Sequence, residues 1–273
     1  MLRNRIITAL LLIPLVVAAV LWLPSTWFAL LIGAFLLLGS KEMAQLSNVN
    51  SPLALLLYAA VFSAMLATIY FVVPVEWKPL LQLLAVAWWL LITLYLLMRR
   101  KSIEAVPALR PGILLIGGVI LAIAWLSVLD LHQKSANGPA LVMFMFVLIW
   151  VADSGAYFAG RAWGKAKLSP VVSPGKTWAG AMGAMAGAVV CASGLWWLGL
   201  VSASLLSLIL LCLLVTAVSI GGDLWESLLK RQAEVKDSGT LLPGHGGVLD
   251  RVDSLLAAAP VFAIGLDVLE ALA

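Results

Sequence analysis

Charge is scarce in this chain. Only 11% of its 273 residues are charged, while 63% are hydrophobic and the mean hydropathy is +1.10. A soluble domain of that size cannot hide so much apolar surface. A bilayer accepts it, because about 20 consecutive apolar residues cross the hydrocarbon core as a helix. Cysteine is nearly absent too. Cys191 and Cys212 both lie in apolar runs, offer no disulfide framework or metal spacing, and read as small core hydrophobes. The apolar runs do not alternate with polar residues, which excludes a transmembrane β-barrel. Lipid gives the backbone no hydrogen-bond partners, so the spans must be helices. The net charge of +4 and pI of about 9.2 do not indicate a nucleic-acid partner, because the cations sit in short loops between apolar runs. The fold class is therefore all-α, a polytopic transmembrane helix bundle.

Nine apolar segments can be marked, at about 6–23, 26–39, 53–73, 79–98, 112–129, 139–159, 178–199, 203–222 and 253–272. The second is short for a span unless it runs on to Leu46. The first follows Arg3 and Arg5, exceeds a signal-peptide apolar region and lacks a small-x-small cleavage site, so it is expected to be a retained span. With the N-terminus cytoplasmic, nine spans put 15 of the 17 Lys and Arg inside and leave Lys78 and Lys134 outside. The positive-inside rule favours that orientation and a cytoplasmic face for both C-terminal polar loops. Residues 1–139 read as a scaffold without a convergent polar set. Trp22, Trp27, Trp77, Trp88 and Trp89 include its candidate interfacial anchors. Residues 140–273 read as the catalytic region.

The polar residues of that region are grouped. Asp153 lies near the end of the sixth segment, where a carboxylate is costly unless paired, hydrated or metal-bound. Asp153, Tyr157 and Arg161 share one helix face; a purely structural Asp153–Arg161 network is the plainer alternative. The stretch Arg161 to Trp178 carries Lys165, Lys167 and Lys176 with three hydroxyls. Its Ser173-Pro174-Gly175-Lys176-Thr177 turn is expected to open a helix, with Ser173 as the cap and Pro174 in the first helical position. Lys176, Thr177 and the free N–H groups there would make an anion-binding corner. The glycine spacing is not that of a Walker loop. Gly180, Gly183 and Gly187 read as a close helix contact.

The densest polar segment follows. Asp223, Glu226, Ser227 and Lys230 fall on one helix face with Arg231 beside them. A loop with Lys236, Asp237 and His245 leads to Asp250, Arg251 and Asp253, and Asp250 and Asp253 sit one turn apart. Either acid could also simply cap the last helix. Oxygen donors without paired histidine or cysteine favour magnesium over zinc. Lysines and arginines beside them indicate a phosphate-rich substrate, and together these are the parts for phosphoryl or nucleotidyl transfer.

Ser227-Leu228-Leu229-Lys230-Arg231, Lys236-Asp237-Ser238-Gly239 and Pro243-Gly244-His245-Gly246-Gly247-Val248-Leu249-Asp250-Arg251-Val252-Asp253 resemble the signature of the phosphatidate cytidylyltransferases, also called CDP-diacylglycerol synthases. Lys167-Leu168-Ser169-Pro170, Ser173 to Trp178 and Asp153 to Tyr157 resemble that family as well, so the similarity is strong over about 150–273. The resemblance implies a magnesium-dependent reaction of CTP with phosphatidate, giving CDP-diacylglycerol and pyrophosphate. It also implies a homodimer in the bacterial cytoplasmic (inner) membrane, in contact with membrane lipids and with a potassium ion as a further candidate. It carries catalysis to Asp223, Lys230, Asp250 and Asp253, with metal binding at Asp223 and Asp250 first and Asp253 second. Substrate contacts carry to Asp153, Tyr157, Lys167, Ser173, Lys176, Thr177, Ser227, Arg231, Lys236, His245 and Arg251. The chemistry agrees: phosphatidate is largely dianionic near neutral pH and can attack the α-phosphorus of CTP without a general base, so His245 is not needed as one. A CDP-alcohol phosphatidyltransferase would need Asp-Gly and Ala-Arg dipeptides that are missing here. A CTP-using polyprenol-type kinase fits the signature less well. An ion-coupled transporter would place its acids at the membrane midplane and show an inverted repeat.

Overall fold

A computed structural model describes residues 13–99, 110–239, 241 and 246–272. The helices are α1 (Ile13–Trp22), α2 (Ser25–Leu46), α3 (Pro52–Phe71), α4 (Lys78–Met98), α5 (Arg110–Gln133), α6 (Gly138–Trp163), α7 (Trp178–Leu198), α8 (Leu205–Gln232) and α9 (Leu249–Ala271). A short 3-10 turn, Val75–Trp77, precedes α4. Eight of these helices, α2 to α9, are long and apolar enough to cross a membrane, and α1 is a shorter apolar helix among the described residues. The protein is thus a multi-pass, almost wholly helical membrane protein. Its one described departure is an antiparallel hairpin of β1 (Lys167–Ser169) and β2 (Ser173–Thr177), with Lys167 opposite Thr177 and Ser169 opposite Ser173.

Local chemistry sets the ends of several helices. Ser51-Pro52 opens α3 with proline in the first turn, where its missing N–H removes no bond. Gly199 closes α7 at a φ of 63°, a left-handed conformation that glycine adopts without strain. The second apolar segment runs on to Leu46 because Ser40 and Glu42 are buried rather than solvated.

The helices group into two compact units, each drawing on segments from both sides of residue 139. The first comprises Met1–Lys78, Ala105–Met143 and Leu229–Val252. In it α2 packs on α3 and α5. The Trp125 indole N–H donates to Ala29 O at 2.9 Å, and the Tyr58 hydroxyl to Leu114 O at 2.9 Å. His132 is buried, stacks on Phe28 and has Nε2 3.0 Å from Val20 O, so Nε2 carries the proton and Nδ1 accepts from Ser25 Oγ at 2.9 Å. One imidazole thereby joins α1, α2 and α5.

The second unit comprises Pro79–Glu104, Phe144–Leu228 and Asp253–Ala273. Here α6 meets α7 along glycine: a Cβ on Gly155 would come within 2.6 Å of Gly183 O, and one on Gly187 within 3.0 Å of Val151 Cγ1. The small-residue stripe of the sequence is thus a close helix contact. Trp22, Trp27 and Trp77 are largely exposed, as interfacial anchors should be. Trp89 is not an anchor. It is fully buried in the second unit, edge-on to Trp225 with ring centroids 5.6 Å apart.

Candidate functional site

Three helices and the hairpin build the polar centre of the second unit. Gly221 and Gly222 let α8 approach its neighbours closely. A Cβ on Gly221 would overlap Thr93 of α4, and one on Gly222 would lie 2.5 Å from Asp253 O and 3.0 Å from Ala257 Cβ of α9. That approach brings Asp223 and Glu226 of α8 together with Asp253 of α9, and one carboxylate oxygen from each lies within 4.8 Å of the others. Every donor in this group is a carboxylate oxygen, with no histidine or cysteine among them. That is the donor chemistry of a hard divalent cation such as magnesium, so the residues fit the ion expected from the sequence.

A cation of the protein's own stands beside them. Lys176 Nζ lies 2.5 Å from Asp223 Oδ2, and Ser227 Oγ donates to Asp223 Oδ1 at 3.3 Å. Both oxygens of Asp223 therefore have partners that hold its orientation. Asp253 is held by its neighbour, since the Ser254 N–H donates to Asp253 Oδ1 at 2.7 Å.

These groups border a cavity of about 340 Å³ lined by Asp153, Tyr157, Arg161, Lys176, Thr177 and Asp223 among others. That volume lies at the small end of the roughly 300–1,000 Å³ of small-molecule sites. Arg161 donates to the Tyr157 hydroxyl at 2.8 Å, as the shared helix face predicted. The lining holds cations, Arg161 and Lys176, together with acids, Asp153 and Asp223, which suits a phosphate-bearing ligand that brings a metal ion.

The hairpin corrects one expectation. Ser173 does not cap a helix and Pro174 is not its first residue: Ser173–Thr177 is extended and pairs with Lys167–Ser169. The cap of α7 is Thr177, whose Oγ1 accepts from the Gly180 N–H at 3.1 Å. Ser and Thr are both good caps, and the hairpin pairing of Ser173–Thr177 with Lys167–Ser169 decides between them. Lys167 is exposed and Ser173 half-buried on this hairpin.

The first unit holds a second polar network. Lys230 Nζ donates to Asp250 Oδ1 at 2.7 Å, while Asp250 Oδ2 accepts from the Ser238 N–H at 2.9 Å and the Gly247 N–H at 2.8 Å. Asp250, the second residue of α9, thus bonds backbone that precedes the helix and pairs with a lysine, and it does not cap the opening N–H groups of α9. Arg231, Lys236 and Arg251 are exposed. His245 lies outside the described residues.

Two acids were not marked as site residues from the sequence. Glu226 stood on the Asp223 face, and its place three residues on was the available signal. Glu42 interrupts an apolar helix in the half of the chain read as a scaffold. It is buried and accepts from the Val248 and Leu249 N–H groups, each at 2.9 Å. A carboxylate within a span-forming run, at Gly39-Ser40-Lys41-Glu42, was the signal there.

A family model described as "Cytidylyltransferase family" matches residues 3–269. A Pseudomonas aeruginosa protein named phosphatidate cytidylyltransferase is 45% identical over 265 residues, covering 96% of this chain and 96% of its own length. A Haemophilus influenzae protein of the same name is 36% identical over 287 residues, covering 96% and 97%. A Bacillus subtilis protein of that name is 37% identical over 149 residues, or 55% of each chain.

Proposed function

We propose that this chain, which belongs to the cytidylyltransferase family, transfers CMP from CTP to phosphatidate, giving CDP-diacylglycerol and pyrophosphate. The observation that carries the reading is the Asp223–Glu226–Asp253 group, whose Asp223 reaches the wall of the cavity beside Lys176. The full-length similarity to relatives named phosphatidate cytidylyltransferase supports the substrate pair.

The chemistry asks little of a protein base. A phosphate oxygen of phosphatidate forms a bond to the α-phosphorus of CTP, and the bond from that phosphorus to the β-phosphate oxygen breaks, releasing pyrophosphate. Both reactants are anions, so the work is alignment and neutralisation of their repulsion. Lys176 and Arg161 supply positive charge at the cavity wall, and Thr177 shapes its floor at the start of α7. Asp223, Glu226 and Asp253 would hold Mg²⁺, and the chemistry it supplies when bound is neutralisation of the phosphate oxygens. Lys230 and Asp250 form a second charged pair in the signature segment, Lys230 as a phosphate contact and Asp250 as the carboxylate that orients it. The proposal extends to a homodimer in a bacterial inner membrane, with the polar centre reached by cytosolic CTP.

The test is direct. Protein purified in detergent, given labelled CTP, Mg²⁺ and phosphatidate, should form lipid-linked CMP and release one pyrophosphate for each. Substrate-independent ion flux in vesicles without any lipid-linked CMP would replace this reading with transport.

A further inference from the structure

The Glu42 carboxylate lies in the first unit, far in sequence from the signature that carries Lys230 and Asp250, yet it is bonded to the backbone of that signature. Its Oε1 accepts from the Val248 N–H at 2.9 Å. Its Oε2 accepts from the Leu249 N–H at 2.9 Å and from Ser238 Oγ at 2.9 Å. The first two donors are the opening N–H groups of α9, which no carbonyl of that helix can satisfy. Glycine makes the fit possible on both sides. A Cβ on Gly239 would lie 2.5 Å from Glu42 Oε1, and one on Gly247 would overlap both Glu42 Oε2 and Ser238 Oγ.

The same segment holds Asp250. The Ser238 and Gly247 N–H groups donate to Asp250 Oδ2, and Ser238 Oγ lies 3.0 Å from that oxygen while also 2.9 Å from Glu42. Glu42 thus fixes the peptide groups that aim Asp250, and Asp250 in turn holds Lys230 Nζ at 2.7 Å.

We propose that Glu42 is a positioning residue for the cytidylyl transfer, clamping the Ser238 and Gly247–Leu249 backbone so that Asp250 and Lys230 keep their working geometry. This rests on the function proposed above. The sharp variant is Glu42→Gln, which keeps the shape but has one acceptor oxygen. Whichever way the amide turns, either the Val248 or the Leu249 N–H faces an NH₂ group and loses its partner.

The experiment compares wild type, Glu42→Gln, Glu42→Asp, Asp250→Asn and the Glu42→Gln/Asp250→Asn double variant as purified full-length proteins. Amide hydrogen exchange at Gly247, Val248 and Leu249 should speed up by about tenfold or more in Glu42→Gln, as loss of a buried charge-assisted bond requires. Exchange in α6 and α7 should stay as in wild type. The kcat/KM for CTP should fall by about tenfold or more, with Glu42→Asp between Glu42→Gln and wild type. The double variant should be no slower than Asp250→Asn, because Glu42 acts through Asp250. Unchanged exchange at those three amides overturns the proposal whatever the activity does. So does faster exchange with wild-type kcat/KM, or a double variant whose losses multiply. A wild-type protein that forms no lipid-linked CMP overturns the underlying function instead, and the exchange data still report on the clamp.

Discussion

Gly222→Ala puts the acid cluster to its most exacting test. The added Cβ would lie 2.5 Å from Asp253 O, where ordinary contact begins at 3.4 Å, so α8 and α9 must part by about 0.9 Å at that point. The obstacle is a helical carbonyl with no rotamer to escape into, and Ala257 Cβ at 3.0 Å closes the other direction. Overpacking of this kind costs about 1–3 kcal/mol. The displacement falls on the two residues that matter, since Asp223 follows Gly222 in the chain and Asp253 owns the carbonyl that is struck. A misplacement of about 1 Å at a reacting centre lowers the rate by roughly 10²-fold. Gly222→Ala should therefore retain a folded helical spectrum, lose about 1–3 kcal/mol in denaturant unfolding, drop kcat by roughly one to two orders of magnitude and need more Mg²⁺ for half-maximal rate. Gly194→Ala in α7 is the control. Nothing lies within 4 Å of its added Cβ, and alanine is the better helix former by about 0.5–1 kcal/mol, so stability should hold or rise and activity should not change. Wild-type rates and stability in Gly222→Ala would refute the argument that this close approach assembles the cluster.

Three further outcomes follow from the same geometry. Lys176→Ala removes the partner of Asp223 Oδ2 and a cation of the cavity wall, and should lower kcat/KM for CTP by roughly 10²-fold, with Lys176→Arg recovering part of it in the same assay. Asp250→Asn sets an amide against Lys230 or against the Ser238 and Gly247 N–H donors. It should lower kcat/KM for CTP by roughly 10²–10³-fold, to a rate still measurable, and cost about 1–3 kcal/mol of stability in denaturant unfolding. Thr177→Val removes the acceptor for the Gly180 N–H and should cost about 1 kcal/mol in the same unfolding measurement, whereas Thr177→Ser should keep wild-type stability.

The sequence was most legible where signals are local. Long apolar runs announced the helices, and glycines at 180, 183 and 187 announced the α6–α7 contact. Asp153, Tyr157 and Arg161 fell on one face because helical periodicity alone dictates it. Less legible was anything decided by a distant partner. Even within a short hairpin, the helix start moved from Ser173 to Thr177, because strand pairing with the neighbouring Lys167–Ser169 outweighed the proline signal. Glu42 drew no reading from the sequence, and only the meeting of α2 with Ser238, Val248 and Leu249 gives it a role. Trp89 read like a membrane anchor until Trp225 was found against it. Asp250 and Asp253 were read together from their one-turn spacing. The structure assigns them to different compact units, Asp250 with Lys230 and Asp253 with Asp223 and Glu226.

The seam between α6 and α7 has a mechanical consequence. Where Gly155 faces Gly183, main chain rests on main chain, so no side chain is available to flip and loosen the joint. The two helices behave as one stiff beam. By contrast, Asp223 is tied to the hairpin only through the long methylene stem of Lys176 and the ion pair at its end. Of the two joints, the helix seam is the one that side-chain motion cannot loosen, and the ion pair is the one that a change of partner can.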